Sequence, residues 1–548
     1  MFTVLKDCVF VPIMNNASHI AKSATGEDAA YFEARWCDGQ TEVHGAEHWS
    51  SDNKPYCDTI GRLSGGWSWD GITLQAQVDE FGFCNLFCYE KDGVVALSPS
   101  LLRLVAEGCD TTPDKRALAV FHRLGIFIND DTPLKYIRTL PPNARLRWRE
   151  GTLTIAGGAP VPKVQTITRD GAIEGMIALF RDSMERTLAA VDGPLRLPLS
   201  GGRDSRHILL EMMDQGRRPE TCVTFHHNGT ALNREAQAAR VVCVRLGVTH
   251  HILGHARPRL ADTVRTLALT GLCADEHAQM MPLHDYFLQH GGIGFDGIAG
   301  DILTNPDNDA DRFFRLADKG DFRGIARGMM AGHGRVVSQS GWSRGAGPIY
   351  SDGMDEEVAD YVGTAIEAYA DAPDPYQMFW FYHRTRREIN FVPQGILSKA
   401  EQVFCPYLDS EFARFCLSLP YSVTCDQELH NDAMKRAYPD MADIPFQEGF
   451  TEPAMRRGSL GHKLRGVAGA WKIASVLAPD ARVEMFGAFV RAPEKLLRGP
   501  ADVNRLHALC LKALDAEKAA NLLNFAAQLQ TARPRALISD EFIGSGQN

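Results

Sequence analysis

Six consecutive residues, Ser200-Gly201-Gly202-Arg203-Asp204-Ser205, combine the side chains needed to grip a phosphate group. The two glycines let the backbone come close to an anion, the serine hydroxyls add donors, and Asp204 can hold a divalent cation against it. No Gly-Lys-Ser/Thr closes the turn, so this is not the Walker arrangement. A second acid of the same kind stands at Asp301, after Ile293 and Phe295 and a turn permitted by Gly297 and Gly300. Two acids at two strand ends can share Mg²⁺ and neutralise the charge that develops on a departing pyrophosphate.

The flanking patterns say what positions these groups. Leu195, Leu197 and Leu199 alternate with Arg196 and Pro198 as a short strand does, and Ile208, Leu209, Met212 and Met213 form a 3.6-period helix face with Gly216 as its stop. A strand feeding a glycine turn into a helix start aims free N–H groups and the positive end of a helix dipole at one point. The pattern continues with a strand over Thr221–Gly229, a helix over Asn233–Leu246 and a strand over His250–Leu253. Alternation of this kind predicts a parallel sheet covered on both faces, with ligands at the carboxyl ends of its strands. The clustered histidines (His226, His227, His250, His251) suit polar packing better than a zinc site.

Residues before about 165 read differently, as short strands and turns. Thr73–Val78, Phe83–Tyr89, Val94–Leu97 and Ala144–Trp148 predict strands of a stacked antiparallel domain, with a helix over Ala117–Leu124. Pro160–Lys163 reads as a linker and Gly171–Val191 as a helix entering the parallel region; beyond about 315 the chain is mainly helical, including the alanine-rich Ala501–Gln528.

The 548 residues predict two or three domains, each with its own core. A net charge of −10 argues against a general nucleic-acid binder, and no apolar run is long enough for a membrane span or a signal peptide, so a cytoplasmic location is expected. The thirteen scattered cysteines, with no CxxC pair, predict reduced and mostly buried thiols. Oligomeric state is not readable.

Ser-Gly-Gly-x-Asp-Ser after a strand resembles the pyrophosphate loop of the ATP pyrophosphatase superfamily, whose members split ATP between its α and β phosphates. The wider chain resembles the asparagine synthetase family. Its first part is similar to that family's glutaminase domain through LSGGWSWDG, FCNLFCYEKDGVVALSPSLLRLV and YIRTLPPNARLRW, the last with Asn143 where the family has glycine. Thr224, Phe225, Glu235, Leu246, Gly247 and His250 match the second ATP segment, with Asn233 or Arg234 at its first acidic position. Asp296, Gly297 and Asp301 match the family's S-G-x-G-x-D-E loop. Arg384, Arg386, Arg387 and Pro406-Tyr407-Leu408-Asp409 match the helical part; the arginines suit phosphate or carboxylate contact and a solvated basic face equally.

The resemblance implies an α/β fold: a degenerate N-terminal-nucleophile domain (αββα, stacked antiparallel sheets) at 1–165, a parallel-sheet synthetase domain at 166–455 and a helical extension at 456–548. It implies ATP on Leu199, Ser200, Gly201, Gly202, Asp204, Ser205, Thr224, Phe225, His227, Asp296 and Gly297, Mg²⁺ on Asp204 and Asp301, and catalytic roles for Asp204, Asp301 and Lys435. The implied activity is an AMP-forming ligase that adenylates a small-molecule or peptide carboxylate and joins it to an amine, with no nucleic-acid or membrane partner. Departures narrow this. Phe2 replaces the nucleophilic cysteine, with Cys8 the first cysteine, so glutamine hydrolysis is not expected. Ile298 and Ile302 replace polar family residues, and Gln447 replaces a lysine whose charge Lys435, Arg456 or Arg457 would have to supply. The alternatives are a glutamine-hydrolysing asparagine synthetase and a catalytically silent nucleotide-binding scaffold.

Overall fold

The computed structural model describes residues 29–51, 63–226, 232–255, 259–274, 277–304, 310–339, 354–453, 511 and 514–530. Phe2, Cys8, His227, Arg456 and Arg457 lie outside these. The chain is α/β, with two antiparallel sheets followed by a parallel one.

The first sheet has the order β2-β1-β7-β6-β8, from β1 (Phe32–Cys37), β2 (Gln40–Gly45), β6 (Phe87–Lys91), β7 (Val94–Ser98) and β8 (Ile137–Thr139). The second has the order β10-β9-β5-β4-β3, from β3 (His48–Ser50), β4 (Gly65–Trp69), β5 (Leu74–Val78), β9 (Arg145–Arg149) and β10 (Thr152–Ala156). Their inner faces meet in one apolar layer: Phe32, Ala34, Val95 and Leu97 from the first sheet, Trp67, Leu74, Leu146 and Trp148 from the second. This is the period-2 alternation of the sequence made physical. The other face of the first sheet packs under α1 (Leu101–Ala106) and α2 (Lys115–Leu124), whereas the second sheet's outer face is open at Gln75, Arg145, Arg147 and Arg149. Among the described residues the expected αββα stack is therefore one helical layer over two sheets.

Two local readings are corrected by side-chain chemistry. Phe83–Tyr89 was expected as one strand, but pairing begins only at Phe87. The Asp79 carboxylate accepts the N–H groups of Phe83 (3.0 Å) and Cys84 (2.6 Å), and Gly82 turns at φ +70°, so the backbone is spent on a turn. Asn143, standing where the related segment has glycine, adopts φ +52°. Asparagine is the side chain that tolerates that region best after glycine.

The parallel sheet has the order β13-β12-β11-β14-β15, built from β11 (Leu195–Pro198), β12 (Thr221–Phe225), β13 (His250–Leu253), β14 (Ile293–Phe295) and β15 (Gln402–Phe404). Strand order reverses between β11, which pairs Leu197 with Cys222 on one side, and β14, which pairs Ile293 with Leu195 on the other. A crevice at such a reversal is where open α/β sheets bind ligands. The helices α3 (Arg169–Ala189), α4 (Arg203–Asp214) and α5 (Arg234–Leu246) follow the predicted boundaries closely, because Thr168 and Asn233 cap α3 and α5 and Gly247 ends α5 at φ +64°.

Some of the apolar packing is shared between the two parts. Only the layer between the antiparallel sheets is confined to the first part. The cluster around Phe180, Leu197 and Phe295 also takes in Phe81, Phe83 and Val120. The layer over the first sheet includes Val264 and Leu267 of α6 (Arg259–Leu269) and Leu522 and Ala526 of the C-terminal helix Ala516–Gln530. That alanine-rich helix thus packs on α1 and α6 in the layer over the first sheet.

Polar bonds fasten the same seam. Arg386 and Arg387 are almost completely buried. Arg386 donates to the carbonyls of Gly82, Asn129 and Leu140 and pairs with Asp130 at 2.9 Å; Arg387 donates to Thr139 and to the Asp131 carbonyl. These arginines neither reach the phosphate loop nor form a solvated face. Arg384 is the only half-buried member of the three. They lie on a widened helix, Trp380–Ile389, in which Asn390 N–H bonds the Thr385 carbonyl five residues back.

Candidate functional site

The loop after β11 is built from hydroxyls and glycines. Ser205 Oγ accepts the Ser200 N–H at 3.0 Å, Ser200 Oγ accepts the Gly202 N–H at 3.1 Å, and the two hydroxyl oxygens are 3.1 Å apart. Gly202 stands at the N-cap of α4 and has no side chain with which to bond the helix's first N–H groups. A helix start of this kind, with its dipole, suits an anion. Gly201 is required by packing: a Cβ there would sit 2.7 Å from Gln447 Cβ and 2.9 Å from Glu235 Cα.

The loop after β14 closes on Asp204. A Cβ on Gly297 would meet Asp204 Cβ at 2.8 Å, and one on Gly300 would meet Asp204 Cγ at 2.6 Å and Oδ1 at 2.7 Å. Gly300 opens α8 (Gly300–Thr304), the short helix that carries Asp301. The Asp301 backbone bonds the Asp204 carboxylate, while the Asp301 side chain is exposed and accepts the Ile302 N–H at 2.7 Å. About 25% of the Asp204 side chain is open to solvent, yet its Oδ1 is enclosed and has no hydrogen-bond partner. Burial, and then the Asp301 charge, push the Asp204 carboxyl well above the usual range. Burial pushes Asp296 up to about 6 against the opposing hydrogen bond from Ile298 N–H.

Thr224, Leu199 and His250 are brought to the same place, but with their polar groups already engaged. Thr224 Oγ1 donates to the Leu199 carbonyl at 2.5 Å and lies 2.8 Å from His250 Nε2. They set the turn. Phe225 ends β12 beside it. Asn233 is spent as the α5 cap, accepting from Ala236 N–H at 3.3 Å.

Lys435 is not gathered with these groups. Its helix, Leu429–Ala437, buries His430, whereas Lys435 is exposed with its ammonium 3.9 Å from Glu428. Five residues along a helix is a rotation of about 140°, so the residue that reaches Asp204 is His430, with Nδ1 3.6 Å from Oδ1. Sequence reasoning missed His430 and its partner His207, which are 223 residues apart and 3.0 Å from each other. It also missed Arg206, whose buried guanidinium donates to the carbonyls of Ile444 (2.8 Å) and Pro445 (2.9 Å) and lies over the Phe446 ring. Gln447 N–H then bonds the Gly201 carbonyl at 3.0 Å. The Ile444–Pro453 segment is thereby seated on the phosphate loop, and a cation of the loop itself, Arg203, lowers the raised Asp204 carboxyl in part. Ile298 is buried in the core at 4% exposure and has no proton to exchange.

No family model and no curated protein matches the chain. Among solved structures, glutamine phosphoribosylpyrophosphate (PRPP) amidotransferase from B. subtilis, complexed with ADP and GMP, is similar at 10% identity over 36% of this chain and 50% of that one, with a TM-score of 0.13. The match spans half the length of that protein, and at this TM-score it carries no argument. Among the described residues no helix is long and apolar enough to cross a membrane.

Proposed function

We propose that the chain is an ATP-dependent, AMP-forming ligase of the asparagine synthetase type, with a degenerate N-terminal-nucleophile domain in front of the synthetase sheet. The observation that carries this reading is the meeting of Asp204 and Asp301 at the strand-order reversal, beside an uncapped helix start. Two acids crowded together, one with an enclosed and unpartnered oxygen, are relieved by a cation. Among the described residues no three His, Cys, Asp or Glu side chains form a metal cluster. That fits Mg²⁺, which is commonly held by one or two carboxylates with substrate phosphates and water completing the shell. Bound there, it would neutralise charge on the pyrophosphate.

The chain's own groups account for the rest. The α4 N–H groups, Ser200 and Ser205 hold the β and γ phosphates, and Gly201 and Gly202 let the backbone approach. A substrate carboxylate attacks the α phosphorus, the bond to the bridging oxygen breaks, and pyrophosphate leaves. An amine then adds to the acyl-adenylate and expels AMP, forming an amide. That amine comes from solution or from the substrate itself, as in lactam or isopeptide closure or the amidation of a small acid.

ATP–pyrophosphate exchange across a panel of carboxylates tests this. Exchange with one of them, abolished in Asp204→Ala, is the expected result. The buried Ile298 and the outward-facing Lys435 favour a second reading, a nucleotide-binding scaffold. Binding of Mg-ATP with no exchange for any carboxylate would establish it.

A further inference from the structure

The second sheet ends, among the described residues, in an unpaired edge at β10. Just before β9 the Ala144 carbonyl accepts the Val78 N–H at 3.3 Å. Antiparallel alternation then points the backbone groups of Leu146 and Trp148 toward β5, and those of Arg145, Arg147 and Arg149 toward β10. Their partners in β10 are Ala156, Thr154 and Thr152. The N–H and C=O groups of Leu153 and Ile155 therefore point away from the sheet, and among the described residues nothing bonds them. Sheet edges are commonly protected by charge or proline on the edge strand itself. β10, Thr-Leu-Thr-Ile-Ala, has neither.

The two faces beside this edge differ. On the inner face Leu153 and Ile155 are only half-buried, as are Trp36 and Val43 of the first sheet in the same apolar layer. On the outer face Arg145, Arg147 and Arg149 stand exposed in a row, next to the short side chains of Thr152, Thr154 and Ala156. Arg149 pairs with Glu150 at 3.2 Å, whereas Arg145 and Arg147 have no ion-pair partner among the described residues. They are two residues apart, about 7 Å along the strand, and any strand laid beside β10 repeats that spacing.

We propose that β10 is a docking edge for a separate polypeptide, which adds an antiparallel strand of alternating apolar and acidic residues. Every pair in this sheet is already antiparallel. The incoming apolar residues, opposite Leu153 and Ile155, exchange backbone hydrogen bonds with them and cover the open rim of the layer. The incoming acids, opposite Thr152, Thr154 and Ala156, face the arginine row across two strand spacings, about 10 Å, which an arginine and a glutamate side chain together span. Charge selects an acidic occupant, and the free backbone groups select a polypeptide over a nucleic acid, which the net charge of −10 also disfavours. Outside the described residues the chain has no run with acids at alternate positions and an apolar residue between them, so those segments do not supply the strand. The docking edge is independent of the ligase reading.

The test is titration of the full-length protein with a labelled peptide alternating glutamate and valine, and with two backbone-methylated forms of it. In the docked register the valine N–H groups point at β10 and the glutamate N–H groups point away. N-methylation of the valines should weaken binding roughly thirtyfold, the loss of two backbone bonds, while N-methylation of the glutamates should leave it within about threefold. Arg147→Glu should weaken it roughly tenfold yet melt within a few degrees of wild type, since that side chain is exposed and unpaired. Equal effects of the two methylations, or unchanged affinity in Arg147→Glu, would overturn the proposal, as would the absence of saturable binding below about 1 mM. An oligouridylate that binds more tightly than the peptide and loses affinity in Arg147→Glu would assign the row to phosphates and overturn it likewise.

Discussion

Gly300→Ala perturbs the placement of Asp204 by a single added methyl. Position 300 has ordinary backbone angles at the start of α8, so alanine fits the helix and contributes up to about 1 kcal/mol of helix propensity. Its methyl, however, would sit 2.6 Å from Asp204 Cγ and 2.7 Å from Oδ1, where ordinary contact needs about 3.5 Å. The carboxylate must move by about 1 Å, and a misplacement of that size costs on the order of 10²-fold in rate. That is about 2.7 kcal/mol of transition-state stabilisation. The assay is ATP–pyrophosphate exchange beside a thermal melt, with Gly254→Ala as the control, since a Cβ there meets nothing within 4 Å. Gly300→Ala should melt within a few degrees of wild type and exchange on the order of a hundredfold more slowly. A folded Gly300→Ala protein that exchanges at the wild-type rate would refute the assignment of Asp204 to the site.

Arg386→Ala should destabilise by roughly 3–5 kcal/mol in chemical denaturation, because it strands the Gly82, Asn129 and Leu140 carbonyls and leaves Asp130 unpaired; Arg386→Lys should not restore the loss, lacking the fork. Lys435→Ala should leave exchange unchanged and stability within about 0.5 kcal/mol, as befits an exposed ammonium 3.9 Å from Glu428; a large loss of exchange would place it in the mechanism. Asp374 is buried and its carboxyl is pushed up to about 6, so stability is highest below about pH 4, where the unfolded chain is also protonated, and falls as pH rises through 6. Asp374→Asn keeps an acceptor for the Tyr376 and Gln377 N–H groups and should remove up to about 3 kcal/mol of that loss between pH 4 and 8, read from denaturant midpoints. An unchanged pH slope would show that the charge is compensated.

What was legible in the sequence was what short-range chemistry determines. The alternation at Leu195–Leu199, the apolar face of α4 and the caps Thr168 and Asn233 all act within a few residues, and the helices appear within about two residues of their expected ends. What was illegible acts over long separations. Arg386 and Arg387 carry charge, which by default belongs in water, and their partners are backbone carbonyls some 250 residues away that no side-chain pattern announces. His430 and His207 have no spacing signature either. Lys435 was singled out by its charge, although it is the buried side of its helix, marked by His430, Ala433 and Met434, that faces the loop.

The departures from the pattern that the chain resembles fall on one side of the chemistry. The groups suited to phosphate and cation, the serines, the glycines, Asp204 and Asp301, are intact and adjacent, and Arg203 and Arg206 place positive charge in and behind the loop. Ile298 and Ile302 stand at the positions to which the resemblance gives proton transfer or a second charge. Ile298 packs in the core and Ile302 contributes its backbone, its carbonyl accepting from Gln377 Nε2 at 2.7 Å. An adenylation step needs charge stabilisation and no proton donor, since carboxylate and phosphate both react as anions. An amine attack does need a proton removed, but an amine already neutral near its ordinary pKa, or tethered within the substrate, can lose it to water or to a phosphate oxygen. Having the first set without the second is therefore compatible with turnover, provided that the amine is held close by the substrate.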